Sequence, residues 1–221
     1  MNVTEAITQR KSTRAFLDRE VPRETIIKIL EVARYAPSGV NIQPWQVAVV
    51  TGASKMALQS QMESAFINDQ PGIKDYNYYP DEWKIPYKGR RTACGLQLYG
   101  ALGIERHDME RRRSQWLANY RAFDAPVMLL FFIDSSLAKG SYVDYGMFLQ
   151  SLMLAAMEEG LATCPQAALA EYPQLVRQFL GYPPEALLLC GMAVGYEDRQ
   201  HPVNSYRTPR EEVASFTRFF P

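Results

Sequence analysis

Histidine is nearly absent from this chain, which has two, His107 and His201. With no H-E-x-x-H and no Cys/His cluster, metal catalysis has no ligand set to draw on. His107 sits in a charged, helix-like stretch and His201 precedes Pro202, so both read as surface residues. Cysteine is scarce as well. Cys94, Cys164 and Cys190 form an odd count with no C-x-x-C pair, which excludes a disulfide framework and fits reduced thiols. G-x-S-x-G is missing, and with it the hydrolase elbow. Glycines at 95, 100 and 103 do not match G-x-G-x-x-G and follow no predicted strand, so a Rossmann site has no support. An excess of one charge is missing too: 24 Lys+Arg balance 24 Asp+Glu, which argues against nucleic acid as a partner. The longest apolar run, Ala125 to Ile133, falls far short of the roughly 20 residues a bilayer span needs. Charges from Glu5 to Glu20 leave no apolar signal region, and the expected compartment is the cytoplasm. A chain this poor in acid–base and nucleophilic groups either binds something or carries a cofactor that brings its own chemistry.

What is present fits one compact domain over residues 1–221, since 47% hydrophobic residues can fill a sizeable core. A short helix is predicted from Val3 to about Arg10. A second follows Pro22, with Ile26, Ile29, Leu30 and Ala33 at helical spacing and Pro37 as its stop. Trp45 to Thr51 alternates and reads as a strand, and Ser54 reads as the N-cap of a helix reaching about Phe66. Residues 68–119, rich first in Tyr and Trp and then in charge, read as helices and loops inserted in the core, either a lid or simple packing. Ala125 to Ile133 is a strand buried on both faces. The helix from about Val143 to Glu159 has almost no polar face, so it must be covered on all sides, and another subunit is a natural cover. A short helix, Tyr172 to Leu180, closes at Gly181, and a third strand runs from Ala186 to Val194. The arm over 196–221 ends in Phe216, Phe219 and Phe220, too much aromatic surface for a free tail. This order fits an α+β sandwich with helices covering a small mixed sheet.

Three stretches carry candidate chemistry. Arg10-Lys11-Ser12-Thr13-Arg14 gathers cations and hydroxyls that suit a phosphate or the acceptor-rich edge of a ring; taken alone, it reads first as a helix C-terminus whose cations answer the dipole. Ala36 to Trp45 is stiffened by Pro37 and Pro44 and offers Ser38, Asn41 and Gln43, as a binding loop or a structural one. Glu159 to Ala168 follows a buried helix with small residues, which permit close backbone approach to a flat ligand or mark an ordinary helix exit.

Together, in this order, the three stretches resemble the FMN-dependent nitroreductase family. R-x-S-x-R/K matches Arg10, Ser12 and Arg14; P-S-x-x-N-x-Q-P-W matches at every specified position from Pro37 to Trp45; G-L-x-x-x-P matches Gly160, Leu161 and Pro165. The tail Asn204 to Val213 resembles the family's closing basic motif, and the segment around Tyr79 to Tyr87 is similar to members that reduce nitrobenzoates. The resemblance implies a three-layer sandwich in an intertwined homodimer whose C-terminal extension lies on the partner. It implies FMN as cofactor, NADH or NADPH as co-substrate and a small aromatic acceptor. Arg10, Lys11, Ser12 and Arg14 would hold the phosphate and the pyrimidine edge, with Arg14 tuning the flavin electrostatically. Pro37, Ser38, Gly39, Asn41 and Gln43 would come from the other subunit. Pro165, Gln166, Ala167 and Ala168 would lie along the isoalloxazine, a backbone N–H near Ala167 or Ala168 facing N5. Arg207 and Arg210 would reach the phosphate. Two positions depart from the pattern: Ala167 and Ala168 stand where many members have an acid and a glycine, and Ser205 where many have lysine. The implied reaction is hydride transfer to nitroaromatics in a ping-pong scheme, nitro to nitroso to hydroxylamine. Quinones, enones, halogenated aromatics or free flavin are alternative acceptors, and a non-catalytic flavin-binding module or a plain dimeric scaffold is an alternative reading.

Overall fold

The computed structural model describes residues 1–221. Two long strands, β2 (Val127–Asp134) and β4 (Ala186–Gly195), form the middle of a four-stranded sheet. Outside β2 lies β1 (Gln46–Thr51), and outside β4 lies β3 (Ala162–Gln166). Side chains alternate across a strand, and β2 uses both faces. Val127, Leu129, Phe131 and Ile133 point one way, onto Ile26 and Ile29 of α2 (Arg23–Ala33) and Phe148 and Leu152 of α6 (Gly140–Glu158). Met128, Leu130 and Phe132 point the other way, onto Leu58 and Met62 of α3 (Gly52–Ile67) and Val176 of α7 (Pro173–Leu180). The result is the expected α+β three-layer sandwich.

Three local expectations are corrected. The sheet is antiparallel in every ladder rather than mixed; parallel pairing is limited to the single bridge Ser12–Thr163. There the chain after α1 (Val3–Gln9) runs beside β3 without lengthening into a strand. Residues Ala162 to Gln166 are β3, not a helix exit. Small residues and Pro165 hide a strand from propensity, but proline is tolerated on an edge strand, where one side of the ladder is unpaired. Finally, α3 starts directly from β1 at Gly52, which has φ +53°, so no loop is left for Ser54 to cap. Gly181 closes α7 in the left-handed conformation as expected.

Residues 68–119 hold α4 (Tyr87–Ala101) and α5 (Met109–Leu117). What fastens this segment to the sheet is a β-bulge, where the β2–β4 register shifts and leaves Leu189 unpaired. The Tyr76 hydroxyl donates to the Leu189 carbonyl at 2.6 Å, and the Leu188 N–H donates to Asp75 at 2.8 Å. Arg177 of α7 holds the same Asp75 carboxylate with two nitrogens. The Leu189 carbonyl and the Leu188 N–H are thus both satisfied from the inserted segment.

Apolar surface remains open on this chain. Val3 and Ile7 of α1, Val143 and Met147 of α6, and Phe216, Phe219 and Phe220 beyond or within the short helix α8 (Val213–Phe216) are exposed. No helix is long and apolar enough to cross a membrane.

Candidate functional site

The chain leaves α1 at Arg10 and pairs with β3 through the Thr13 N–H, which donates to the Thr163 carbonyl at 3.0 Å. That pairing aims Arg10, Lys11 and Arg14 at a cavity of about 540 Å³, closed on its far side by Arg207 and Arg210 of the tail. Five cations line this space, and no Asp or Glu does. Burial, then Arg210 and Arg207, push the Arg10 guanidinium below its ordinary pKa. Its Nε is buried with no partner, as is the Tyr206 hydroxyl in the same wall. Like charges beside unpaired donors favour an anion, and a phosphate monoester with several acceptor oxygens matches the set.

Not every cation there is free. Lys11 pairs with Glu197 at 2.7 Å and donates to the Asn204 carbonyl. Arg207 donates to the Gln9 carbonyl at 2.8 Å and the Arg10 carbonyl at 2.7 Å, and also to Thr8, so it caps α1. Arg210 folds back on Thr208 and Pro209. The buried Asn204, to which the sequence assigned no role, joins the parts. Its side-chain oxygen accepts from the Arg14 N–H at 2.9 Å, while its amide donates to the Ala15 and Asp198 carbonyls at 2.9 and 2.8 Å. Nothing in the sequence separates this asparagine from a surface one; the signal is its burial.

Arg14 and Cys94 line both this cavity and a second one of about 1240 Å³. Pro165, Gln166, Ala167 and Ala168 form part of that larger wall, where β3 ends. The Ala167 N–H makes no hydrogen bond within the chain and so is free to meet a ligand. The Gln166 amide, by contrast, is turned inward and donates to the Asn119 carbonyl at 3.0 Å. The turn after β3 sits close to the sheet because Gly191 lacks a side chain: a Cβ there would lie 2.4 Å from Leu169 Cδ1. Opposite stand Tyr76, Tyr78 and Tyr79, the last two packed edge-on with centroids 4.8 Å apart, and Leu96 and Tyr99 of α4. Sequence reasoning noted the tyrosines without placing them at the site, and it missed Tyr99, Tyr206 and Asn119.

The loop before β1 lies elsewhere. Trp45 stacks on Phe148 with centroids 4.8 Å apart, and the Tyr145 hydroxyl donates to the Gln46 carbonyl at 2.9 Å while accepting from its N–H. Ser38 Oγ accepts from the Gln43 N–H at 3.0 Å. Val40, Asn41 and Gln43 hold φ of +46°, +59° and +50°, and Val40 is fully exposed. Such angles cost about 1–3 kcal/mol each for residues other than glycine. Pro37, Ser38, Gly39, Asn41 and Gln43 line neither cavity of their own chain. Gly39 lies beside Asp144 of α6, whereas Arg10 reaches Met153 of the same helix, nine residues or roughly 13 Å further along its axis.

Residues 7–196 match the model of the nitroreductase family. The chain is 39% identical over 213 residues to a 4-nitrobenzoate reductase of Pseudomonas putida, covering 96% of this chain and 93% of that one. It is 37% identical to the chloronitrobenzene nitroreductase of Comamonas testosteroni, over 98% of this chain and 96% of that one. Among solved structures, the FMN- and NADPH-dependent nitroreductase NfnB of a Sphingopyxis strain superposes with a TM-score of 0.96 at 39% identity, each chain covered in full. NfnB of Mycobacterium smegmatis in complex with NADPH gives 0.94 at 34% identity, over 99% and 97% of the two chains. A family match across most of the chain, and relatives 37–39% identical over nearly its whole length, make this chain a member of the nitroreductase family.

Proposed function

We propose that this chain is an FMN-dependent reductase of nitroaromatic compounds that uses NADPH or NADH and acts as a homodimer. The observation that carries the reading is the pairing of the two cavities, one cationic and free of acids, the other aromatic, joined at Arg14. Arg10 and Arg14, with Ser12 and the tail arginines, would hold the phosphate, and the ring system would extend past Arg14 along Pro165 to Ala168. Bound FMN would supply the hydride-accepting and hydride-donating centre that the chain's own side chains lack. The protein's part is then threefold. Arg14 opposes negative charge at the junction of the cavities, the free Ala167 N–H offers a donor, and the tyrosine wall limits water. A single large cavity serves nucleotide and acceptor in turn, so initial rates varied over both substrates should give parallel double-reciprocal lines. The P. putida and C. testosteroni relatives, named for nitroaromatic substrates, support this acceptor class.

Dimerisation explains the loop before β1. Its strained, polar tip faces away from its own chain's cavities while Val40 and the tail phenylalanines stay exposed. In a two-fold assembly Ser38, Gly39, Asn41 and Gln43 would complete the partner's site. The direct test is an absorbance spectrum of the purified protein, followed by anaerobic NADPH or NADH and then 4-nitrobenzoate, with sedimentation for the oligomeric state. A flavin spectrum that bleaches and returns, from a dimer, is expected. Colourless protein that takes up no added FMN would overturn the reading.

A further inference from the structure

Arg111-Arg112-Arg113 reads from sequence as a solvated helix face or, with Arg106, as a partner for a nucleotide 2′-phosphate, and the fold divides the run. Arg111 donates to the Gly103 and Leu102 carbonyls at 2.8 and 3.0 Å and so caps α4. Arg113 donates to the Ile67 carbonyl at 3.1 Å and lies 3.6 Å from Asp69. Only Arg112 turns into the larger cavity. There its guanidinium lies over the Tyr99 ring, 4.4 Å from the centroid, half-buried and with no carboxylate partner. Arg106, in the α4–α5 connection, lines the same end and also makes no ion pair or hydrogen bond. Of the acids nearby, Asp108 caps α5 and faces Arg111, and Glu105 lines the cavity without pairing to either free arginine. That end therefore holds two unmatched cations against one acid.

Size supplies the second argument. A volume of about 1240 Å³ leaves room beyond the flavin ring placed along Pro165 to Ala168 and one nitroarene. The cavity follows α4 from Cys94, at the junction with the phosphate pocket, to Gly100, and continues over Gly103, Ile104 and Arg106 of the α4–α5 connection. On the reductase reading a dinucleotide enters this same cavity. Its reactive end would lie near Pro165 to Ala168, and its adenosine end would then reach Tyr99, Arg106 and Arg112.

We propose that Arg112, held by Tyr99 and assisted by Arg106, binds the 2′-phosphate of NADPH and makes this enzyme prefer NADPH to NADH. The inference rests on the reductase reading for the role of the nucleotide, but its phosphate specificity can be measured without turnover. A planar guanidinium stacked on a ring is pre-oriented for two-pronged contact with phosphate oxygens, and NADH offers a neutral hydroxyl at that position.

The test is calorimetric titration of the FMN-loaded protein with 2′,5′-ADP and with 5′-ADP, which lacks the 2′-phosphate, together with steady-state kinetics on both nucleotides. Tighter binding of 2′,5′-ADP by tenfold or more is expected, falling to parity in Arg112→Ala and partly restored in Arg112→Lys. In kinetics, Arg112→Ala should raise KM for NADPH at least tenfold while kcat and the NADH constants hold. Equal binding of the two ligands to the wild type, or equal losses with both nucleotides in the variant, overturns the proposal. Should neither nucleotide reduce the protein while the 2′,5′-ADP preference and its loss persist, the reductase reading fails and the phosphate site stands.

Discussion

The Tyr76 hydroxyl donates to the Leu189 carbonyl at 2.6 Å, and this bond fixes where the tyrosine wall of the larger cavity stands. Leu189 is the residue left out of the β2–β4 ladder, so its carbonyl has no strand partner. Burial and the neighbouring Cys190, Tyr78 and Tyr142 push the Tyr76 phenol far above its usual pKa, so it remains a donor at any physiological pH. Tyr76→Phe should therefore destabilise the protein by about 1 kcal/mol in urea unfolding, the usual worth of one such bond. It should also make the 68–119 segment easier to cleave with protease, since its link to the sheet then rests on Asp75.

The tail and α1 meet in one side chain. Arg207 binds three carbonyls at the end of α1 and so fixes the direction in which Arg10 leaves the helix. Arg207→Ala should weaken FMN retention about tenfold to a hundredfold, from the loss of charged hydrogen bonds worth about 1.5–3 kcal/mol. Arg210, bonded only to its own neighbours, should matter less. Fluorescence titration of FMN into both variants checks the order. Equal losses would mean that α1 needs no cap to orient Arg10. Arg14→Ala should instead lower activity more than FMN retention, since Arg14 stands where the two cavities join.

Close packing gives a third prediction. A Cβ on Gly191 would come within 2.7 Å of Leu169 Cβ, as well as meeting its Cδ1. Gly191→Ala must displace the turn that carries Ala167 and Ala168, at a cost of about 1–3 kcal/mol. Lower thermal stability together with an altered visible spectrum of bound flavin is the expected pair of changes. A spectrum identical to the wild type's would show that the turn does not touch the ring.

Thiol chemistry offers a simple probe of the fold. Cys164 and Cys190 are buried, and burial raises both, Cys190 to about 12, whereas Cys94 is exposed on α4. Alkylation requires the thiolate; Cys190 at about 12 stays a neutral thiol at pH 8, and Cys164 is raised and closed off by burial. Native protein at pH 8 should take up one iodoacetamide, on Cys94, and denatured protein three. Prior loading with FMN should slow the labelling, because Cys94 lines both cavities.

Much of the architecture followed from pattern alone. The apolar run of β2 needs cover on two faces and finds it in two clusters. Proline and glycine punctuated α2 and α7 at Pro37 and Gly181, because backbone restriction is local and needs no neighbours. The basic opening was visible for a related reason: its cations lie side by side in the chain, and they line the smaller cavity. The tertiary structure decided what depends on distant partners. It made an edge strand of Ala162 to Gln166, since only the presence of β4 turns small residues into a ladder. It distinguished Arg112 from Arg111 and Arg113, identical in type and adjacent in sequence, by which helix end or cavity each side chain meets. It also buried Asn204 against the backbone of Ala15 and Asp198 and gave Arg207 to α1, because long-range hydrogen bonds leave no periodic trace in the chain that makes them.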